Sequence, residues 1–178
     1  MSTTSIARNY AEALFSLGEA SGQTAEYAQL IDALADAIEL SPEVKEVMHS
    51  PRVPKMAKAR VLTSALAGAP RDFTRFVQAV VQRGRQGIVA EIAREYMGLV
   101  DVKLNRVRAA VTLVREPDEA LRRTIQQALS EALGKEVLPT YTTDPAILGG
   151  TIVRVRERIY DGSVRRRMAR LRRHLLAG

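Results

Sequence analysis

The chain has 178 residues, of which 46% are apolar, and 27 Lys and Arg against 20 Asp and Glu give a formal net charge of +7. This length holds one ordinary domain or two small ones, and the absence of Cys excludes disulfides and thiolate chemistry and favours a reducing, cytosolic compartment. No apolar run approaches the roughly 20 residues that cross a bilayer, and no import or secretion signal precedes the first helical pattern. We therefore expect any membrane association to go through another protein or through surface charge.

The first hundred residues predict an all-α bundle, because apolar side chains recur at helical spacing between turn signals. Gly18 to Gly22 ends the first helix, Ser41-Pro42 begins a short third one, and Gly68-Ala69-Pro70 ends the fourth. Six amphipathic helices are expected in series. The first and fifth carry the stripes Ile6, Tyr10, Leu14 and Leu17, and Phe73, Phe76, Val77, Val80 and Val81.

The hydrophobic period changes from helical to alternating near Asn105, which predicts a domain boundary. A strand with Val107, Ala109, Val111 and Leu113 on one side follows, and then a helix from Pro117-Asp118 to Gly134. The predicted fold is α+β and mainly α. It comprises a six-helix bundle over residues 1–104 and a small α/β domain over residues 105–178.

The remaining elements of the second domain are two extended stretches and a final helix. Val137 to Thr142 is expected at a sheet edge, because Pro139 cannot donate a ladder hydrogen bond. Thr151 to Tyr160 is extended, and it either folds back at Arg156-Glu157 or continues to Asp161-Gly162. The final helix places Val164, Met168, Leu171 and Leu175 on one stripe, and we expect this stripe to pack on the sheet.

The sequence shows no constellation that performs chemistry. His49 and His174 lie at opposite ends of the chain without metal-ligand or nucleophile–base spacing, and no phosphate-binding G-x-x-x-x-G-K motif occurs. Gly149-Gly150 is followed by a strand, so it is interpreted as a place where backbone angles or close approaches exclude side chains. We expect no catalytic residue, no cofactor and no metal site.

An arginine cluster ends the chain. From Thr151 onward there are nine arginines against two acids, a surplus of seven that equals the net charge of the whole protein. The arginines could keep the final helix soluble and complement its macrodipole, meet an acidic protein helix, or bind nucleic-acid phosphates, in that order of preference. Aromatic residues make up only 4% of the chain and none lies in the final helix, so no platform for stacking bases is present.

Motifs at both ends of the chain resemble those of a known family. Ile6 to Phe15 reads I-A-R-N-Y-A-E-A-L-F, and the C-terminal motif comprises Asp144-Pro145, Ile147, Gly149-Gly150, Ile152 and Tyr160 to Val164. In residue type and spacing this pattern is similar to that of the delta subunit of rotary ATP synthases, whose mitochondrial relative is the oligomycin-sensitivity-conferring protein.

The chain departs from the family pattern in a few places. Arg83-Gly84-Arg85-Gln86 stands where Asn-x-Arg-Leu is common, and Ala90 stands where proline is usual. Arg156-Glu157 replaces Gly-Asp at the strand turn, and Thr143 replaces an aliphatic residue. The order of the elements is unaffected.

The resemblance implies a non-catalytic stator subunit at the cytoplasmic face of a bacterial membrane, attached to it through the complex. The N-terminal domain would receive the N-terminal helix of an alpha subunit, and the C-terminal domain would bind the end of the b subunit dimer. A basic nucleic-acid-binding module is the alternative; the stator interpretation includes no nucleic-acid partner. The expected alpha-subunit interface comprises Tyr10, Ala13, Leu14, Leu17, Phe76 and Val80. The expected C-terminal signature and stalk-side residues are Gly149, Gly150, Asp161, Gly162, Val164, Arg166, Met168, Leu171 and Arg173.

Overall fold

The computed structural model describes residues 3–176, apart from the side chains of His49, His174 and Leu176. The chain is mainly helical with one small mixed sheet, as the α+β prediction requires. It divides into two compact units, the first ending at Asp101 and the second beginning at Val102.

The helices that begin in the first unit follow the predicted order. They are α1 (Thr3–Ser21), α2 (Thr24–Leu40), α3 (Pro42–His49), α4 (Lys55–Ala65), α5 (Arg71–Gln82) and α6 (Val89–Lys103), with a 3-10 turn at Gln86–Ile88 before α6. Their apolar stripes form one core, whose fully buried large side chains include Leu14, Tyr27, Ile31, Phe73, Val80, Val81, Ile92 and Tyr96.

Buried and half-buried polar groups fix the ends of these helices. The Ser41 hydroxyl accepts a hydrogen bond from the Val44 amide and so caps α3. The buried Lys58 ammonium donates to the carbonyl oxygens of Met48 and Ser50 at 2.8 Å each, which joins the end of α3 to α4. The Tyr96 hydroxyl donates to the Thr24 carbonyl at 3.0 Å, and burial raises the pKa of Tyr96 to about 12.

The second unit is a four-stranded sheet with helices. Its elements are β1 (Arg106–Leu113), α7 (Glu119–Leu133), β2 (Glu136–Thr143), β3 (Thr151–Val155), β4 (Arg158–Asp161) and α8 (Val164–Leu176), with a 3-10 turn at Pro145–Ile147. The strand order is β2-β1-β3-β4, in which β1 and β2 are parallel and the other pairs antiparallel. The edge position predicted for β2 from Pro139 is confirmed.

Helix α7 fills the apolar face of this sheet. Asp118 caps its first turn by accepting from the Leu121 amide at 2.8 Å, and Gly134 ends it with a left-handed φ of 63°. Its inner side chains pack on the buried strand residues; the contacts join Ile125, Leu129 and Leu133 to Val107, Ala109, Val111, Leu113, Val137 and Val153.

The structure decides between the two alternatives for the last strands. The chain folds back at Arg156-Glu157, between β3 and β4, and Arg156 adopts the left-handed φ of 52° that glycine would take more readily.

The predicted packing of the final helix on the sheet is wrong. Val164, Met168, Leu171 and Leu175 are 36%, 60%, 62% and 74% exposed, and we call these four residues the α8 stripe. The physical reason lies in the sheet, whose apolar face is already covered by α7. Its other face is mixed, because Arg108 and Arg154 lie there beside Leu138 and Ile152. Helix α8 contacts the 3-10 turn at Pro145–Ile147 instead.

Candidate protein-interaction site

A groove lies between α1 and α5 in the first unit. Its cavity has a volume of about 350 Å³ and is lined by Ile6, Asn9, Tyr10, Ala13, Phe76, Ala79 and Arg83. The Tyr10 and Phe76 rings form its aromatic part, edge to face with centroids 6.2 Å apart and an interplanar angle of 73°. Ala13 is exposed, so its small side chain leaves room for a partner. Such a groove suits the apolar face of a single helix.

The structure separates the six predicted interface residues into two groups. Tyr10, Ala13 and Phe76 line the groove. Leu14 and Val80 are only 0% and 2% exposed and belong to the core, so their expected place in the interface is corrected. Leu17 is 39% exposed but does not line the cavity.

Sequence reasoning missed Ile6, Asn9, Ala79 and Arg83, because it extended the interface into the buried side of the apolar stripes instead of along their polar edge. The groove follows that edge; its lining residues recur at helical spacing and are Ile6, Asn9, Tyr10 and Ala13 on α1 and Phe76, Ala79 and Arg83 on α5. Polar and small residues along one edge of an apolar stripe are the signal that could have located the groove.

The Gly-Gly pair of the C-terminal signature is a close backbone junction. A Cβ on Gly150 would lie 2.4 Å from the carbonyl oxygen of Gly162, and one on Gly149 would lie 2.9 Å from Cγ2 of Val164. The Gly162 amide donates to the Thr151 carbonyl, and the Val164 amide donates to the Gly149 carbonyl, both at 2.9 Å. These contacts fix the start of α8, which confirms the interpretation made from the sequence.

Asp161 and Ser163 cap α8. The Ser163 amide donates to Oδ1 of Asp161 at 3.0 Å, and the Ser163 hydroxyl oxygen accepts from the Arg166 amide at 3.2 Å. Hydrogen bonds from the side chain and backbone of Ser163 lower the pKa of the Asp161 carboxyl, and the charges of Arg166 and Arg165 lower it further. Arg166 lies 3.9 Å from Oδ2 of Asp161.

Helix α8 presents an apolar and strongly basic surface. Its 13 residues include six arginines and no acidic residue. Arg166 and Arg170 line a shallow depression of about 480 Å³ together with the exposed Ile159 and Tyr160 of the edge strand β4. The predicted stalk-side residues Met168, Leu171 and Arg173 are exposed on this helix. The contacts that fix its N-terminal end involve Gly149, Gly150, Asp161 and Gly162.

Neither surface resembles a catalytic centre. Within residues 3–176 as described, no group of three or more His, Asp or Glu side chains could hold a metal ion. No helix in this part of the chain is long and apolar enough to span a bilayer. Both surfaces combine exposed apolar side chains with polar or charged ones.

Comparison with known proteins decides the family. The family model described as "ATP synthase delta (OSCP) subunit" matches residues 6–175. The chain belongs to this family.

Relatives of this delta (OSCP) family align over nearly the whole chain. ATP synthase subunit delta of Gemmatimonas aurantiaca is 40% identical over 172 residues, covering 96% of this chain and 93% of the relative. The Desulfotalea psychrophila subunit delta is 32% identical over 174 residues, covering 97% and 96%. A chain of the Toxoplasma gondii mitochondrial ATP synthase hexamer has the same fold, with a TM-score of 0.72, 20% identity and coverage of 97% and 98%.

Proposed function

We propose that this delta-family chain is the non-catalytic stator subunit of a rotary proton-translocating ATP synthase, joining the catalytic head to the peripheral stalk. The observation that carries the proposal is that each compact unit has its own exposed and partly apolar surface, which is suited to a protein partner. A link between two bodies needs two such surfaces. In this role the subunit holds the head against rotation and is attached to the cytoplasmic face of the membrane only through the complex.

The first unit, a six-helix bundle in this account, receives the N-terminal helix of an alpha subunit. The groove between α1 and α5 supports this assignment, because its aromatic part and the small Ala13 leave space for apolar side chains projecting from one face of a helix. Asn9 and Arg83 place polar groups at the groove, where they can contact the polar margin of that helix.

The second unit binds the b subunit dimer. The α8 stripe supports this assignment, because four large apolar side chains on one helix are 36–74% exposed. The alternative function as a nucleic-acid-binding module is not supported, since the matching relatives are ATP synthase subunits and α8 contains no Phe, Tyr or Trp that could stack on bases.

The head-binding assignment is tested by Ala13→Asp in the full chain, with Ala33→Asp as the matched control. Both alanines are exposed on helices, so the two changes alter helix propensity and charge equally, but only Ala13 lines the groove. A partner helix would bury and desolvate the new carboxylate at position 13 beside the Tyr10 and Phe76 rings, and affinity should fall at least about 100-fold. Ala33→Asp should change affinity by no more than about threefold.

The measurement is calorimetric titration with a synthetic peptide of the alpha-subunit N-terminal helix, after circular dichroism has established that both variants are folded. Equal affinities of Ala13→Asp and the wild-type chain would remove the groove from the alpha-subunit site.

A further inference from the structure

We infer that α8 binds the stalk as one strand of a short two-stranded coiled coil, and that its partner is an acidic amphipathic helix. The inference rests on the proposed function, which assigns the stalk to the second unit, and adds the geometry and the chemistry of the contact. The partner helix should carry apolar residues at its a and d positions and Asp or Glu at its e and g positions.

The spacing of the α8 stripe is that of a coiled-coil seam. Val164, Met168, Leu171 and Leu175 are separated by four, three and four residues, the alternation of d and a positions in a heptad. At about 100° per residue the stripe is only about 60° wide, whereas a helix that packs on a globular core has an apolar face of about 100° or more. The 13 residues of α8 extend over about 20 Å, or nearly two heptads.

Arginines flank this seam on both sides. With Val164 at a d position, Arg165 and Arg172 are at e positions and Arg167 is at a g position. Charges at e and g positions determine which helix pairs with which. Because all three are positive, a second copy of α8 would be repelled and an acidic helix attracted.

The arginines at the start of α8 are unfavourable for the helix alone. Arg165, Arg166 and Arg167 occupy its first turn, where the positive end of the helix macrodipole disfavours cations. Arg166 and Arg170 form a like-charged pair four residues apart, and Asp161 lies near Arg166 at 3.9 Å. An acidic partner would relieve this repulsion, so a binding role explains the pattern better than helix stability does.

A membrane surface fits α8 less well than a protein helix does. Helices that lie in the lipid interface bury a broad apolar face, often with Trp or Phe, under a basic polar face. Helix α8 has a narrow stripe and no Trp, Phe or Tyr. Its first turn is also fixed by the Ser163 cap and by the close contact of Val164 with Gly149, so the seam has a defined direction relative to the sheet.

The test measures binding of the full chain to the purified soluble part of the stalk b subunits by isothermal titration. Three variants are compared with the wild type: Leu171→Asp in the seam, Arg165→Glu with Arg172→Glu at the flank, and Arg115→Glu with Arg123→Glu as the matched control, at exposed positions of the same unit outside α8. The two double variants change the net charge equally. The seam and flank variants should weaken binding at least about 30-fold, and the control by no more than about threefold.

Each contrary result is distinct. Equal losses in the flank and control variants would show non-directional charge attraction and overturn the coiled-coil geometry, while the stator function would stand. If the wild type binds and none of the variants weakens this binding, the coiled-coil inference is wrong but the stator function still stands. No binding of the wild-type chain to the stalk would contradict the proposed function itself.

A parallel titration uses vesicles of phosphatidylcholine with one quarter phosphatidylglycerol. Wild-type binding to these vesicles that Leu171→Asp abolishes, together with unchanged stalk binding, would assign α8 to the membrane instead.

Discussion

Gly150 adopts a φ of +77°, and a Cβ there would lie 2.4 Å from the Gly162 carbonyl oxygen. Both the left-handed angle and the backbone contact oppose a side chain, so Gly150→Ala should lower the free energy of unfolding by about 2–4 kcal/mol. Gly134→Ala is the control, because Gly134 has a similar φ of +63° with no atom within 4 Å of its Cβ position. It should cost only about 1 kcal/mol. Urea unfolding measures both, and equal losses would show that the contact with Gly162 contributes nothing.

Ionisation of Asp161 at the start of α8 should make the free energy of unfolding depend on pH. Its pKa in the folded protein is lower than the ordinary value of 3.8, chiefly because of the hydrogen bonds from Ser163. A lowered pKa means that the ionised carboxylate stabilises the fold above pH 3.8 and that this stabilisation is lost as the pH falls through the folded-state pKa.

Asp161→Asn removes the ionisable carboxylate and, with it, this pH-dependent stabilisation. The difference in free energy of unfolding between the wild type and Asp161→Asn should therefore be constant from neutral pH down to about pH 5 and should shrink at lower pH. Urea unfolding at a series of pH values tests this, and a difference that does not change down to pH 3 would show that the pKa of Asp161 is the same in the folded and the unfolded protein.

At the scale of the elements, α8 contributes a surface rather than a core. Leu171 is 62% exposed, so Leu171→Ala should change the free energy of unfolding by less than about 0.5 kcal/mol. Val137 lies at 0% exposure in the same unit, and Val137→Ala should cost about 2 kcal/mol for the lost methyl groups and the cavity. Thermal or urea unfolding of both variants makes the comparison. A loss of 2 kcal/mol or more for Leu171→Ala would restore the packing on the sheet that the sequence predicted.

The elements show how far the hydrophobic pattern can be interpreted. Periodicity located the helices and the strands, and Pro139 located a sheet edge, because these features depend on local backbone chemistry. The exposure of Leu171 could not be predicted in this way, since a seam for a partner helix and a stripe for the protein's own core have the same helical spacing. Leu14 illustrates the opposite error, because it was assigned to an interface although it lies in the core. A pattern identifies an apolar face but not what covers it.

At the scale of the whole molecule, the two units carry separate surfaces with different chemistry. The groove between α1 and α5 is partly aromatic and small in volume, whereas α8 is a basic helix with a narrow seam. Composition and periodicity predicted a helix-rich protein without catalytic residues, and only the end motifs, Ile6 to Phe15 and Tyr160 to Val164, indicated the family. The assignment of alpha-subunit binding to residues 1–104 and of stalk binding to residues 105–178 stays a prediction.

We propose that one chain binds the head and the stalk at once, through independent surfaces. Sedimentation velocity of the full chain with a purified head that lacks this subunit, and with the soluble stalk, tests it most directly. The wild type should form a ternary complex, Ala13→Asp should retain the stalk and lose the head, and Leu171→Asp should retain the head and lose the stalk. Two results would contradict simultaneous binding through independent surfaces. One is a wild-type chain that binds either partner but never both, and the other is a single variant that loses both partners while remaining folded.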